Sequence, residues 1–126
     1  MTVVVDTSAV LAALWGEPGG TRVDQELPGA SISAVNLAEL VAKLIDRGGS
    51  AEQVDTVLAS LGLMIHAFDA ASALHCGALR SSTRHLGMSL ADRACVALGL
   101  DLNLPILTAD RAWAGLNIGI EIEQIR

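Results

Sequence analysis

Short apolar runs alternate with longer amphipathic stretches along this chain. Uninterrupted apolar residues, as in Val3-Val4-Val5, are typical of strands buried inside a parallel sheet. The pattern predicts five strands, over residues 3–5, 30–33, 63–68, 105–107 and 118–125. In the last of these, Ile118, Ile120 and Ile122 alternate with polar residues or glycine, which indicates an edge strand with one face in water.

Helical periodicity fills the segments between the predicted strands, and glycine, proline or a capping residue bounds most of them. Ser50 is a predicted N-cap, and Gly48-Gly49 ends the helix before it. The predicted helices cover residues 8–14, 21–27, 34–46, 51–61, 70–86 and 90–100. Alternation of strands and helices predicts an α/β fold around a mostly parallel sheet of about five strands.

Composition fits one globular domain over residues 1–126. The chain is 52% hydrophobic and 17% charged, which is too apolar for a disordered segment. No apolar run approaches the roughly 18 residues that cross a bilayer, and Met1-Thr2 precedes a strand, without the basic region of a signal peptide. Cys76 and Cys95 lack metal-ligand spacing. We therefore expect buried free thiols, a reducing cytoplasmic location and no membrane association.

The charge balance is acidic. Eight Lys and Arg residues against fourteen Asp and Glu residues give a formal net charge of −6 and a pI near 4.8. This balance argues against a general nucleic-acid-binding surface. The acids are either spread over a solvated surface or gathered where a cation can neutralise them.

Four acids occupy positions that favour the second arrangement. Asp6 and Asp110 follow the first and fourth predicted strands, at the carboxyl ends where open α/β sheets bind ligands. Asp92 begins a largely apolar helix, and Glu39 lies mid-helix among apolar neighbours, where a charge without a partner is costly. Carboxylates that converge need a hard cation such as Mg2+ in order to ionise together.

Each acid also has an ordinary structural interpretation. Asp6 and Asp110 can cap the helices that follow them, and Asp92 can close a capping box with Ser89. Glu39 can pair with Lys43 one helical turn further along a solvated face. Uncharged hydroxyl side chains beside the acids can cap equally well, so the four acids taken together favour a shared site.

Four short segments carry these acids. They read Val4-Val5-Asp6-Thr7-Ser8-Ala9, Asn36-Leu37-Ala38-Glu39-Leu40, Leu90-Ala91-Asp92-Arg93-Ala94 and Leu107-Thr108-Ala109-Asp110-Arg111-Ala112-Trp113. In this order they resemble the PIN-domain ribonucleases, most closely the VapC toxins of bacterial type II toxin-antitoxin pairs, over nearly the whole chain. The resemblance implies a three-layer α/β/α PIN-like fold and a metal-dependent endoribonuclease that cleaves tRNA or mRNA.

The resemblance also implies roles for individual residues. The metal-binding acids of the family correspond to Asp6, Glu39, Asp92 and Asp110, and its polar helpers to Thr7, Ser8 and Thr108. We expect Asp6 and Asp92 to bind Mg2+ or Mn2+ directly, and Asp110 to act as a ligand or to position water. Glu39 is expected to bind through water or to orient the attacking water. Many relatives have a further acid where this chain has Ala112, which argues against tight binding of a second metal ion.

Substrate phosphates need cationic or hydroxyl partners near the acids. The cationic candidates are Arg80, Arg84, His85, Arg93 and Arg111. A solvated helix face explains the first three equally well. The expected substrate-binding residues are therefore Thr7, Ser8, Thr108, Arg93 and Arg111.

The resemblance further implies a homodimer that a VapB-type antitoxin silences by placing a basic side chain in the acidic pocket. The net negative charge suits such a partner. Trp15 and Trp113 are either apolar anchors of the docking groove or residues of the core. His66 and His75 are expected to be structural histidines.

Two other phosphate-handling classes do not fit. A response-regulator receiver needs an acidic pair after the first strand and a lysine after a late strand, but Asp6 precedes Thr7 and Lys43 is the single lysine. A haloacid-dehalogenase-type phosphatase needs Asp-x-Asp, and Ser8 stands at the third position. The remaining alternative is a catalytically degenerate PIN-like domain that serves as a binding or dimerisation module.

Overall fold

Five parallel strands form the central sheet of the computed structural model, which describes residues 2–126. The strands are β1 (Val4–Val5), β2 (Ser31–Ser33), β3 (Met64–His66), β4 (Ile106–Thr108) and β5 (Ile122–Gln124). Their order across the sheet is β3-β2-β1-β4-β5, and each neighbouring pair is parallel. The predicted α/β class and the mostly parallel sheet are confirmed.

Helices connect the strands. They are α1 (Thr7–Leu14), α2 (Gly20–Asp24), α3 (Ala34–Asp46), α4 (Ala51–Leu61), α5 (Ala70–Ala78), α6 (Arg80–Thr83) and α7 (Leu90–Leu102). Two short 3-10 segments, Arg84–Leu86 and Arg111–Gly115, follow α6 and β4. No helix within residues 2–126 is long and apolar enough to cross a membrane.

Side chains of β1 point alternately to opposite faces of the sheet. Val3 and Val5 belong to one hydrophobic core, which contains residues of α1 to α4. Val4 belongs to a second core, built largely from α5, α7 and the segment after β4. Helices therefore cover both faces, as expected of a three-layer α/β/α domain.

Helix α7 approaches the sheet closely, and this brings its first turn to the edge where β1 and β4 end. A Cβ on Gly99 would lie 2.6 Å from Cδ1 of Ile106 in β4, so the absence of a side chain permits the contact. Asp92, at the other end of α7, is thereby held near the carboxyl ends of the strands.

The helix predicted over residues 70–86 is wrong in its length. It ends at Ala78 and is followed by α6 and a 3-10 segment. The hydroxyls of Ser82 and Thr83 both donate to the carbonyl of Leu79, at 3.2 and 2.7 Å. The backbone N–H of Thr83 donates to the same carbonyl at 3.1 Å, so this carbonyl serves both the helical bond and the side chains in the short turn after α5.

The predicted final strand over residues 118–125 is also too long. The structure confines β5 to Ile122–Gln124, although β5 does lie at a sheet edge as expected. Gly119 has a φ of +80°, which breaks the extended backbone. Ile118 and Ile120 pack against the second core before the strand begins.

Candidate active site

Asp6 directly follows β1, next to the end of β4. Val5 pairs in register with Leu107, so Asp6 comes beside Thr108. The Thr108 hydroxyl donates to Oδ2 of Asp6 at 3.0 Å, and the Ser8 hydroxyl donates to the same oxygen at 2.6 Å. Asp6 holds the N-cap position of α1, but its side chain caps no backbone N–H group. The capping interpretation of Asp6 is therefore wrong.

Both hydroxyls also tie Asp6 to the loop that carries Asp110. Oγ of Ser8 accepts the N–H of Ala109 at 3.0 Å, and Oγ1 of Thr108 accepts the N–H of Asp110 at 3.1 Å. Because each hydroxyl accepts from the backbone, its own proton is available for Asp6. Ser8 and Thr108 thus orient the carboxylate of Asp6 relative to Asp110.

Asp92 and Asp110 both cap helical segments, as their structural interpretation predicts. Oδ2 of Asp92 accepts the Ser89 N–H at 2.9 Å, while the Ser89 side chain accepts the Asp92 N–H at 3.1 Å. Oδ1 of Asp110 accepts the N–H of Ala112 at 2.9 Å. Each cap occupies a single carboxylate oxygen, so capping leaves the other oxygen available to a ligand.

In all three aspartates of the site, one carboxylate oxygen accepts hydrogen bonds and the other accepts none from the described part of the chain. Within residues 2–126, no donor bonds to Oδ1 of Asp6, Oδ1 of Asp92 or Oδ2 of Asp110. Each side chain is therefore anchored by one oxygen and presents the other. The hydrogen bonds therefore hold the three carboxylates in place and leave one oxygen of each able to bind a cation.

The acids interact electrostatically. Burial raises the pKa of Asp6 to about 6; the Ser8 and Thr108 hydrogen bonds oppose the rise, while the charges of Asp92 and Glu39 add to it. Burial also raises the pKa of Asp92, its Ser89 hydrogen bonds oppose this, and the charges of Asp110 and Glu39 reinforce it. Asp6 is thus near enough to be repelled by Asp92 and Glu39, and Asp92 near enough to be repelled by Asp110 and Glu39.

Glu39 lies half-buried on α3 rather than on a free solvated face. Within residues 2–126 it forms no ion pair with Lys43, which is exposed, so the expected pairing is wrong. The polar residues of α3 form a stripe of Asn36, Glu39, Lys43 and Asp46, in which Asn36 is fully buried and Asp46 is exposed. The N-terminal half of the stripe turns inward, on the side of Asp6 and Asp92.

The donor set fits a hydrated divalent cation. Carboxylate oxygens are the ligands that Mg2+ and Mn2+ prefer, and a cation would offset the repulsion that raises the pKa of Asp6. Within residues 2–126, no three His, Cys, Asp or Glu side chains lie close enough to ligate one ion together. Mg2+ usually keeps several waters and binds through one or two carboxylates, so a looser arrangement suffices.

Two arginines follow site acids directly. Arg93 is half-buried, donates from Nη1 to the Cys76 carbonyl at 3.4 Å, and has a buried Nε without a partner among the described residues. Arg111 is exposed at the start of the segment after Asp110. Neither arginine forms an ion pair with another residue between positions 2 and 126.

Other expected residues differ in accessibility. Arg80, Arg84 and His85 are exposed on α6 and the following 3-10 segment. The Thr7 hydroxyl is buried and donates to the carbonyl of Asn36 at 3.0 Å. Thr7 therefore directs its oxygen into the protein, away from the surface where a substrate contact was expected.

The cysteines are free and buried, as predicted. Burial raises the pKa of Cys95 well above its ordinary value, and the charges of Asp6, Asp92 and Glu39 add to the effect. The thiol of Cys95 thus lies in the protein interior, within electrostatic reach of the acids.

The two tryptophans have different environments. Trp113 is 1% exposed in the second core, so its interpretation as a docking anchor is wrong. Trp15 is half-buried against the first core, and the Arg47 guanidinium lies 3.9 Å from its ring centroid. Trp15 remains accessible at the surface.

Both histidines that were expected to be structural have side-chain partners. Nε2 of His66 lies 3.0 Å from Oγ of Ser31, and Nδ1 of His75 lies 2.8 Å from Oδ1 of Asp101. These contacts link β3 to β2 and α5 to α7.

The sequence pattern did not identify Asn36 as a residue associated with the site. Its amide Nδ2 donates to the carbonyl of Ala91 at 3.2 Å, immediately before Asp92. The available signal was a polar side chain one helical turn before Glu39 in an otherwise apolar stretch.

Together, the parallel three-layer fold and the acids at the carboxyl ends of its strands define an α/β domain with carboxylates at the ligand-binding edge of its sheet. The sequence matches the PIN domain family over residues 3–117, and the chain belongs to that family. No curated protein sequence matches it.

Solved structures share the fold. A toxin-antitoxin complex from Klebsiella pneumoniae matches with a TM-score of 0.77 at 16% identity, over 99% of this chain and 98% of that one. DNA-bound VapBC from Salmonella typhimurium gives 0.75 at 18% identity, over 100% and 99%. VapC20 of Mycobacterium tuberculosis, described as a Sarcin-Ricin loop cleaving toxin, gives 0.72 at 17% identity, over 92% and 97%. The expected PIN-like fold is confirmed.

Proposed function

We propose that this PIN-domain protein is a metal-dependent endoribonuclease and the toxin of a type II toxin-antitoxin pair. The observation that carries the proposal is the set of mutually repelling acids around Asp6, whose pKa burial and neighbouring charges raise to about 6. Such an arrangement costs stability unless a cation binds there. Perturbed carboxylates gathered at the ligand-binding edge of a sheet favour a functional site.

The chain supplies distinct groups for phosphodiester hydrolysis. Asp6 and Asp92 would hold Mg2+, and Asp110 would add a ligand or position water. Glu39 would bind the metal through water or orient the attacking water. A bound Mg2+ lowers the pKa of water and stabilises charge on the phosphate. Mn2+ suits the same donors, and Ala112 adds no carboxylate for a second ion.

The residues next to the site acids would contact the substrate. Arg93 and Arg111 have no carboxylate partner among residues 2–126, so their charges are available to RNA phosphates. Ser8 and Thr108 act by holding Asp6, with Ser8 the more accessible of the two.

The partner of this toxin is an antitoxin of the VapB type, and the toxin itself is a homodimer in the reducing cytoplasm. Structures of similar fold come from toxin-antitoxin complexes, which supports the antitoxin. The net charge of −6 favours a basic partner segment. A surface groove that includes Trp15, Leu44 and Val57 offers it apolar contacts.

Cleavage of RNA tests the proposed activity. Purified protein is incubated with total tRNA and with mRNA, with Mg2+, with Mn2+ and with chelator. We expect cleavage in the wild type only with metal, and none in Asp6→Asn or Asp92→Asn.

Asp69→Asn is the matched control. Asp69 caps α5 by accepting the Ser72 N–H at 2.9 Å, and asparagine is an equally good cap, so this variant loses a charge whose side-chain hydrogen bond is made to α5 and not to a site residue. Full activity of Asp6→Asn would refute the site assignment. A wild type that cleaves no RNA under any condition would instead favour the degenerate binding or dimerisation module.

Expression in a bacterial host tests the toxin role. Without an antitoxin we expect the wild type to arrest growth, while Asp6→Asn should be tolerated at equal expression and Asp69→Asn should arrest growth like the wild type. Harmless wild-type protein at confirmed soluble expression would contradict the toxin assignment.

A further inference from the structure

Asn36 is a buried polar residue within the framework that carries the acids. Its side chain is 0% exposed, one helical turn before Glu39 on α3. Amide groups are costly to bury unless they are hydrogen-bonded, so a specific interaction should account for asparagine at this position.

Two hydrogen bonds connect Asn36 with the neighbours of two site acids. Its Nδ2 donates to the carbonyl of Ala91, the residue before Asp92, at 3.2 Å. Its backbone carbonyl accepts the hydroxyl of Thr7, the residue after Asp6, at 3.0 Å. One residue of the helix that carries Glu39 is thus bonded to the first turns of both α1 and α7.

The amide is incompletely satisfied. Among residues 2–126, Oδ1 of Asn36 is buried without a hydrogen-bond partner. The orientation of the amide follows from its environment, because the carbonyl of Ala91 is an acceptor and only the NH2 end can face it. A buried acceptor without a partner lowers stability, and leucine of similar size would avoid this penalty. Folding stability alone therefore does not explain asparagine here.

We infer that Asn36 is a positioning residue of the cation site on which the proposed function rests. The Nδ2 bond holds the start of α7 against α3 and fixes Asp92 relative to Glu39. The bond from Thr7 holds the start of α1 against the same turn and fixes Asp6. Because these acids repel one another, the elements that carry them need such links to stay together while the site is empty.

Binding of Mn2+ by isothermal titration calorimetry tests the inference, with the melting temperature of each metal-free protein measured alongside. In Asn36→Leu we expect about 10 to 100-fold weaker Mn2+ binding, the usual effect of losing a group that orients metal ligands. Its melting temperature should change little, because the loss of the Nδ2 bond and the removal of the unsatisfied Oδ1 acceptor oppose each other.

Thr83→Val is the matched control. Thr83 is 1% exposed, and its hydroxyl donates to the Leu79 carbonyl at 2.7 Å, outside the network that links the acids. We expect this variant to lose stability and to keep wild-type Mn2+ affinity.

Wild-type Mn2+ affinity in Asn36→Leu would overturn the inference, whatever its melting temperature. If Asn36→Leu does not fold, Thr7→Val tests the second bond: weaker Mn2+ binding supports the inference, and unchanged binding overturns it. A wild type that binds no Mn2+ and cleaves no RNA would overturn the proposed function itself, and the inference with it.

Discussion

At the scale of single residues, Asp6 links the site to the pH dependence of stability. Burial raises its pKa from 3.8 to about 6 in the folded protein. The folded state therefore binds more protons than the unfolded state between these values. The contribution of Asp6 to the free energy of unfolding is most favourable below pH about 4, falls as the pH rises towards about 6, and stays low above it.

Asp6→Asn should remove this penalty. We expect the free energy of unfolding at pH 7 without metal to rise by about 2 to 3 kcal/mol, because one pKa unit corresponds to roughly 1.4 kcal/mol. Urea denaturation of both proteins in chelator at pH 4 and pH 7 measures the difference. Equal stability of the two proteins at pH 7 would contradict the buried charge.

Glu39 makes a second residue-scale prediction. Glu39→Gln should weaken Mn2+ binding or slow RNA cleavage by about 10 to 100-fold, as expected for a group that orients ligands or water. Stability should change little, because no ion pair with Lys43 is lost. Lys43→Gln is the matched control and should leave metal binding unchanged. An unaltered titration curve for Glu39→Gln would place Glu39 outside the site.

At the scale of secondary-structure elements, the first turn of α7 combines capping with ligand placement. Ser89 and Asp92 form a complete capping box, and a similar box joins Ser50 to Gln53 at the start of α4. Both boxes stabilise a helix start, but only that of α7 contains a site acid. Comparing the two capping boxes therefore distinguishes the effect of a cap on folding stability from its effect on the placement of Asp92.

Ser89→Ala and Ser50→Ala should each lower the free energy of unfolding by about 1 kcal/mol, the usual cost of a lost N-cap. Only Ser89→Ala should also weaken Mn2+ binding, because the backbone N–H of Asp92 then loses its acceptor and the helix turn that carries the carboxylate is held less firmly. Thermal denaturation and Mn2+ titration of both variants check this. Equal Mn2+ affinity in the two variants would show that the cap does not position Asp92.

At the scale of the whole molecule, metal binding should be visible as increased stability. A ligand that binds only the folded state at 100 times its Kd stabilises by about 2.7 kcal/mol. We expect Mg2+ or Mn2+ to raise the melting temperature of the wild type, and chelator to reverse the rise. The shift should be absent in Asp6→Asn and present in Asp69→Asn. An equal shift in all three proteins would indicate binding elsewhere on this acidic chain.

The sequence by itself determined the features that depend on neighbouring residues. Ser50 and Ser89 cap helices as predicted, because an N-cap is an interaction across three residues. The strands were found through local apolar runs, and their alternation with helices indicated the parallel sheet. The placement of Asp6 and Asp110 after strands followed from the same pattern.

Tertiary structure decided what depends on residues distant in sequence. Trp113 enters the core rather than a docking groove. The Asp6 carboxylate binds the hydroxyl of Thr108 at the end of β4, besides that of Ser8, and caps no N–H group within residues 2–126, while Glu39 turns inward with Asn36 instead of pairing with Lys43. Burial and long-range contacts control these outcomes, and the pattern of residues along the chain does not encode which distant groups will meet.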